Sequence, residues 1–136
     1  MNHVAIMNKR LGSIEKILSG EKLIESRWLK NRSAPWLRVA IGDEIYFKYS
    51  GGPVTAKAIV DRIEYVDKLD NEKSRNIIER YEKMICLDDY PKGKNYCVLI
   101  WLTRPEKVTP FKIDKTGYGT PAAWMSIEDI KLIYIL

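Results

Sequence analysis

Hydrophobic and polar residues alternate through several short stretches of this chain, and helical spacing interrupts the alternation twice. Val4 to Met7 is a short apolar run that suits a first buried strand. Ser13 then stands as an N-cap, Ile14, Ile17 and Leu18 fall at i, i+3 and i+4, and Gly20 closes the helix. From Leu23 to Trp28 the period is two, so Leu23, Glu25 and Arg27 share one face and Ile24, Ser26 and Trp28 the other. Asn31 to Arg38 reads as a loop, with Pro35 biasing Ala34 away from helix. Gly42-Asp43 makes a turn into a strand from Glu44 to Ser50, with Ile45, Phe47 and Tyr49 on one side and Tyr46, Lys48 and Ser50 on the other. Gly51-Gly52 supplies a tight hairpin and Pro53 its exit. Val54, Ala56, Ala58 and Val60 alternate inward, after which the parity moves to Ile63 and Tyr65, predicting a bulge near Asp61.

The strongest helical pattern spans Asn71 to Ile85, where Ile77, Ile78, Tyr81, Met84 and Ile85 form an apolar stripe. Tyr96 to Leu102 is apolar throughout and predicts a strand buried on both faces. Pro105 to Pro121, with its Pro, Gly and Thr content, reads as a long loop of a length that is often functional. Ser126 caps one turn over Ile127 to Asp129 before a closing strand from Lys131 to Leu136. Short strands, turn signals and two intervening helices predict an α+β fold. It is a small mixed β-barrel with two main helices packed on it, occupying residues 1–136 as a single domain. Strand and helix do not alternate steadily enough for a doubly wound parallel sheet.

Composition changes this picture little, but charge adds to it. Apolar content of 46% and charged content of 30% are ordinary for a soluble globular protein. The longest apolar run, Cys97 to Leu102, is too short to cross a bilayer, and no secretion signal opens the sequence. Cys86 and Cys97 lack C-x-x-C spacing and read as reduced thiols, so a cytoplasmic location is expected. The net charge is +5. Seven bases between Lys22 and Lys57 face only Glu25, Asp43 and Glu44, which leaves +4 in that one segment. It reads either as a solvated lysine-rich surface or as a basic concave patch for phosphate or nucleic acid.

The order helix, Gly20-Glu21-Lys22-Leu23-Ile24-Glu25-Ser26-Arg27, then Gly42-Asp43 opening a strand, resembles the ASCH domain and its G-x-K-x-x-E-x-R motif. Lys30, Arg32, Ala34-Pro35 and Ser50-Gly51-Gly52-Pro53 look like one prokaryotic branch of that family. The match is good from about His3 to Val66 and only architectural from Asp67 to Pro121. The resemblance implies a PUA-like barrel whose cleft, beside the helix and lined by the motif, binds RNA or a nucleotide-like ligand. Some small ASCH proteins look like amidohydrolases of N4-acetylcytidine, others like ribonucleases. The lysine of the amidohydrolase pattern is matched by Lys22, whereas the threonine proposed as nucleophile falls at Glu25, where this chain departs from the pattern.

Residue chemistry gives each candidate two readings. Lys22 is a phosphate contact or a base, or else a lysine favoured by the negative end of the preceding helix. Glu25 and Arg27 form an ion pair that either lines the cleft or braces the barrel mouth, and Glu25 is the best general-base candidate. Lys30 and Arg32, with Trp28 and Trp36 nearby in sequence, suit backbone contacts combined with base stacking. Trp28 reads as core and Trp36 as the ligand-facing ring, while Lys48 and Ser50 complete the pocket wall. Trp124 reads as a hydrophobic plug over the cleft, and Lys112, Lys115 and Tyr118 form a second, weaker basic cluster. A serine or cysteine nucleophile paired with histidine would require His3, the only histidine. Two distant cysteines and one histidine make no zinc ligand set, and no phosphate-loop or dinucleotide motif occurs, so no metal or cofactor is expected.

Two function classes follow. One is an RNA- or nucleotide-binding module in which Lys22, Glu25, Arg27, Lys30, Arg32, Trp36, Lys48 and Ser50 meet the ligand. The other is a small hydrolase of modified nucleosides, or a ribonuclease, with Lys22 and Glu25 as the acid–base pair. An interaction module using the 105–121 loop, with a protein partner still unknown, is a third reading, and no membrane partner is expected.

Overall fold

The structure is a computed structural model that describes residues 1–87, 89–118 and 123–135. Its strands are β1 (Asn2–Met7), β2 (Ile24–Leu29), β3 (Glu44–Tyr49), β4 (Val54–Val66), β5 (Tyr96–Ile113), β6 (Trp124–Ile127) and β7 (Tyr134–Ile135). Two α-helices, α1 (Ser13–Ser19) and α2 (Asn71–Ile85), and two single 3₁₀ turns, Lys9–Leu11 and Ile130–Ile133, complete the elements of the described residues. The strands form one sheet in the order β2-β5-β4-β3-β1-β6, with β7 paired to β5. Among the described residues only β1 and β3 run parallel. The sheet curls into a half-barrel, so its edge strands β2 and β6 approach each other across a seam.

Period-two alternation sends one set of side chains to each face of the curled sheet. On one face Ala5, Ile45, Phe47, Ala56, Ala58, Val60, Val98 and Ile100 pack with Ile14 and Ile17 of α1. On the other, Val4, Tyr46, Val54 and Met125 pack beneath Ile130 and Ile133 of the last turn. A third cluster joins α2 through Ile85 to Ile24, Cys97 and Leu99 of β2 and β5. Asp70 starts α2 by accepting from the Lys73 N–H at 2.7 Å. Gly20, at φ +83°, ends α1 in the left-handed region that a Cβ disfavours and turns the chain toward Lys22.

The predicted bulge near Asp61 is present as a register shift between Val60 and Arg62. A second shift at Phe47/Lys48 places Val54 opposite Lys48, so Val54 joins the Tyr46 cluster instead of sharing the face of Ala56, Ala58 and Val60 as the alternation predicts. The expected loop from Pro105 is also corrected, because Pro105 to Ile113 continues β5. Val108 and Phe111 carry that arm against the Tyr46 cluster, and Arg104, at φ +51°, bends the strand before it. Residues 119–122 of the same predicted loop lie outside the described residues. Ser126 sits within β6 rather than capping a turn, and Asp129 caps the final turn by accepting from Lys131 N–H at 2.9 Å. The closing strand is correspondingly short, at Tyr134–Ile135.

Candidate functional site

The seam holds a cleft of about 270 Å³ lined by Lys22, Glu25, Arg27 and Trp28 from β2 and its approach, Met7 and Asn8 from the end of β1, and Cys86 after α2. Three local devices deliver the charged residues. Gly20 ends α1, and the Lys22 N–H donates to the Lys16 carbonyl at 3.0 Å. The Leu23 N–H donates to Met84 at 2.9 Å, and the Lys22 ammonium donates to the Ile85 carbonyl, so both satisfy carbonyls that the end of α2 leaves open. Lys22 is thereby a buried cap on α2, not an exposed residue trailing α1.

The alternation of β2 does the rest. Glu25 pairs with Ile100 and Arg27 with Val98, so both point to the concave face, as the sequence parity requires. Arg27 Nε lies 3.4 Å from Glu25 Oε1. The rest of the guanidinium stitches the seam: Nη1 donates to the Ala123 carbonyl at 3.3 Å, Nη2 to the Ile6 carbonyl at 3.4 Å, and Nη2 also meets Met7 Sδ at 3.2 Å. Its carbon stands 5.2 Å from the centre of the Trp124 ring. Glu25 Oε2 is buried without a partner, and Arg27 Nε, ion-paired with Oε1, makes no hydrogen bond of its own. Glu25 is only 5% exposed, so a free carboxylate oxygen there is costly unless something else binds it.

The structure disperses the rest of the predicted set. Lys30 and Arg32 lie past the far end of β2, where Asn95 Nδ2 donates to the Lys30 carbonyl at 2.9 Å and Arg32 stands 5.6 Å from the Tyr96 ring. Trp36 is core, 4.8 Å from Tyr96 and 5.3 Å from Tyr65 between ring centres, which corrects its expected place at the ligand. Ser50 is exposed on the hairpin beyond β3 and lines no part of the cleft. Lys48 lies on the opposite sheet face from Glu25, with the Tyr46 side chains, because β3 alternates about Phe47. Trp28 does pack with the α2 cluster, its indole N–H donating to Ser26 Oγ at 3.0 Å. Trp124 is buried in the core beneath Arg27.

A polar network that the sequence does not announce adjoins the site. His3 is fully buried and links Asp43 Oδ2 at 2.7 Å through Nε2 to Ser126 Oγ at 2.9 Å through Nδ1. The Trp124 indole N–H donates to the same Nδ1 at 3.3 Å. A carboxylate only accepts and an indole N–H only donates, so the proton sits on Nε2 and Nδ1 accepts from both Ser126 and Trp124. Burial lowers the His3 pKa despite the Asp43 carboxylate beside it. The Gly42-Asp43 turn was legible, but nothing in local pattern pairs it with a histidine forty residues earlier. Among the described residues no cluster of His, Cys, Asp and Glu could hold a metal, and no helix is long and apolar enough to cross a membrane.

Solved structures share this architecture. The tyrosine-to-phenylalanine mutant of an ASCH protein from Zymomonas mobilis superposes with a TM-score of 0.70 at 17% identity, over 96% of this chain and 93% of its own. This chain has the ASCH-domain fold. A serine-to-alanine mutant of the same Zymomonas protein gives 0.69 at 17% identity over 96% and 91%. The unmutated ASCH protein gives 0.68 at 17% over 93% and 87%. No family model and no curated protein matches the sequence. The small mixed β-barrel with two main helices expected above is thus realised as a curled half-barrel of mixed sheet carrying two α-helices. In this ASCH fold the G-x-K-x-x-E-x-R residues Lys22, Glu25 and Arg27 meet at the seam.

Proposed function

We propose that the seam cleft binds RNA or a nucleotide-like ligand by the edge of a base. The observation that carries this reading is the unpartnered Glu25 Oε2 beside an Arg27 Nε that is ion-paired to Oε1 but makes no hydrogen bond. Together they offer one acceptor and one donor, the complement of the adjacent N–H and acceptor found on a nucleobase edge. A buried carboxylate also disfavours phosphate at that spot, so the base rather than the backbone enters the cleft. Trp28 on the lining supplies a ring against which a base can stack. Titration with single-stranded RNA at low salt tests the reading, with binding expected to weaken steeply as salt rises. Absence of binding at low salt would end it.

The burial of Glu25 with a free oxygen also favours a second reading, a hydrolase of acylated or otherwise modified nucleosides. Glu25 would act as general base there and Lys22 as its acidic partner, after the ammonium leaves the Ile85 carbonyl. Release of cytidine from N4-acetylcytidine, lost in Glu25→Gln while nucleoside binding persists, would favour the enzyme.

A further inference from the structure

Of the chain's two thiols, only Cys86 is open to a reagent. Cys97 is fully buried, whereas Cys86 is half-buried and forms part of the seam cleft wall. Cys86 caps α2 at φ +55°, a left-handed conformation that glycine usually takes and a Cβ disfavours. A sulfur thus stands at a turn that would form more easily without a side chain. Sγ makes only weak contacts, 3.4 Å from the Lys83 carbonyl and 3.8 Å from that of Glu21. Cys86 also lines an adjoining hollow of about 430 Å³, together with Lys16, Glu21, Glu82 and Lys83, so a reagent meets the sulfur from that side too.

The same cleft holds a group that lacks a partner. Glu25 Oε2 is buried and accepts nothing from the chain, and the residue is only 5% exposed. Lys22 is turned to the Ile85 carbonyl and Arg27 Nε to Oε1, so the missing N–H donor has to come from a ligand. Charge narrows the class. A ligand bringing only a cation adds to the charges of Lys22 and Arg27 on the lining, whereas one with an ammonium and a carboxylate adds none. The adjoining hollow has the same balance, two lysines and two glutamates.

We infer that Cys86 and Glu25 form a modification site for a small zwitterionic aminothiol of the cysteine type. Cys86 holds the thiol as a mixed disulfide, Glu25 Oε2 accepts from its ammonium, and its carboxylate faces Lys22 and Arg27. The co-reactant is the symmetric disulfide of that thiol. The Cys86 thiolate attacks one of its sulfurs, the S–S bond breaks, and its electron pair stays on the other sulfur. That half leaves as a free thiol with the proton Cys86 gave up. Cys86 is oxidised, the departing sulfur is reduced, and excess thiol reverses the step. A group of amino-acid size occupies much of a cleft of about 270 Å³, so modification closes the seam to a base. That consequence rests on the base-binding reading above, whereas the modification site does not.

Disulfide exchange at equilibrium tests the site. The folded protein is held in cysteine and cystine, or in mercaptopropionate and its disulfide, which lacks the amine. Modification of Cys86 is read by peptide mass, and each exchange constant is referred to that of the urea-unfolded chain. Cystine is expected to show an exchange constant about tenfold larger than the amine-free disulfide, the scale of one hydrogen bond to a buried carboxylate. Glu25→Gln should remove the preference, because its amide keeps an oxygen toward Arg27 and puts a donor in place of Oε2. Equal constants in the wild type, a comparison that requires no variant to fold, would overturn the site. So would a preference that survives in Glu25→Gln. Single-stranded RNA is then titrated into the cysteine adduct, with binding expected to be lost and to return on reduction. Full binding by the adduct would overturn closure of the seam. If the unmodified protein binds no RNA, the cleft reading ends and the exchange constants alone decide the modification site.

Discussion

Two buried polar clusters meet at Trp124, and they differ in one respect that matters. On one side of the indole, both His3 nitrogens are engaged, by Asp43, Ser126 and Trp124. On the other, Arg27 lies against the indole face with its Nε ion-paired to Glu25 but not hydrogen-bonded, and Glu25 keeps a bare oxygen. The satisfied cluster has the partners of a serine–histidine–aspartate relay. Its Nδ1 is shared with the indole and its ring is wholly shielded, so it serves as a brace joining β1, β6 and the Gly42-Asp43 turn. The unsatisfied cluster lies in a cleft and spends stability that only a ligand returns. Full hydrogen bonding marks structure here, and its absence marks a site.

The largest effect should come from breaking the brace. His3→Ala leaves Asp43, Ser126 and Trp124 Nε1 without their partner and opens a cavity, so it is expected to cost about 3 kcal/mol in urea denaturation. Glu25→Gln should behave in the opposite way. It keeps the shape of the side chain and an acceptor oxygen toward Arg27, so stability should fall less than in His3→Ala while RNA affinity falls about tenfold. Equal losses in both variants would erase the distinction between brace and site.

Acidification separates the clusters next. Burial lowers the His3 pKa from its usual 6.5, so the folded state binds fewer protons than the unfolded state once pH drops through that value. Stability is therefore full above about 6.5 and declines below it. Asp43 acts in the same direction at lower pH: its carboxyl is held below the usual 3.8 by bonds to His3 and the Ala40 N–H. Its contribution is present above 3.8 and disappears as pH falls through the lowered value. Denaturation midpoints at pH 7.5 and 5.5 should differ in wild type and much less in His3→Gln.

The sequence shows the unsatisfied cluster better than the brace, for a physical reason. Glu25 and Arg27 are two apart on one strand, and parity alone puts them together. Lys22 follows from a glycine stop and a short return, although its place on the end of α2 depends on a helix more than sixty residues later. His3, Asp43 and Ser126 come from three distant elements that only sheet order makes adjacent. The same limit explains the residues that sequence proximity grouped wrongly. Lys30, Arg32 and Trp36 follow the motif closely along the chain, but the extended β2 carries them to its far end, and Trp36 turns into the core. Lys48 falls on the other face because one strand cannot aim Phe47 and Lys48 the same way. The prolines at 105 and 110 suggested a loop, yet β5 tolerates them in an arm whose Val108 and Phe111 still have a surface to cover.

The two cysteines provide the mildest test. Cys97 is fully buried in β5, and burial with the nearby Glu64 raises its thiol pKa to about 12, which leaves almost no thiolate at neutral pH. Cys86 is partly exposed and lines the seam cleft, held by weak contacts to the Glu21 and Lys83 carbonyls. A thiol reagent at neutral pH should therefore modify one cysteine per folded chain, with the second reacting only after unfolding. If a base occupies the cleft beside Glu25, saturating single-stranded RNA should slow the Cys86 reaction several-fold. His3→Gln should leave that protection intact, because the brace shapes the barrel and the unsatisfied edge holds the ligand. RNA bound with no change in the Cys86 rate would move the binding surface away from the seam.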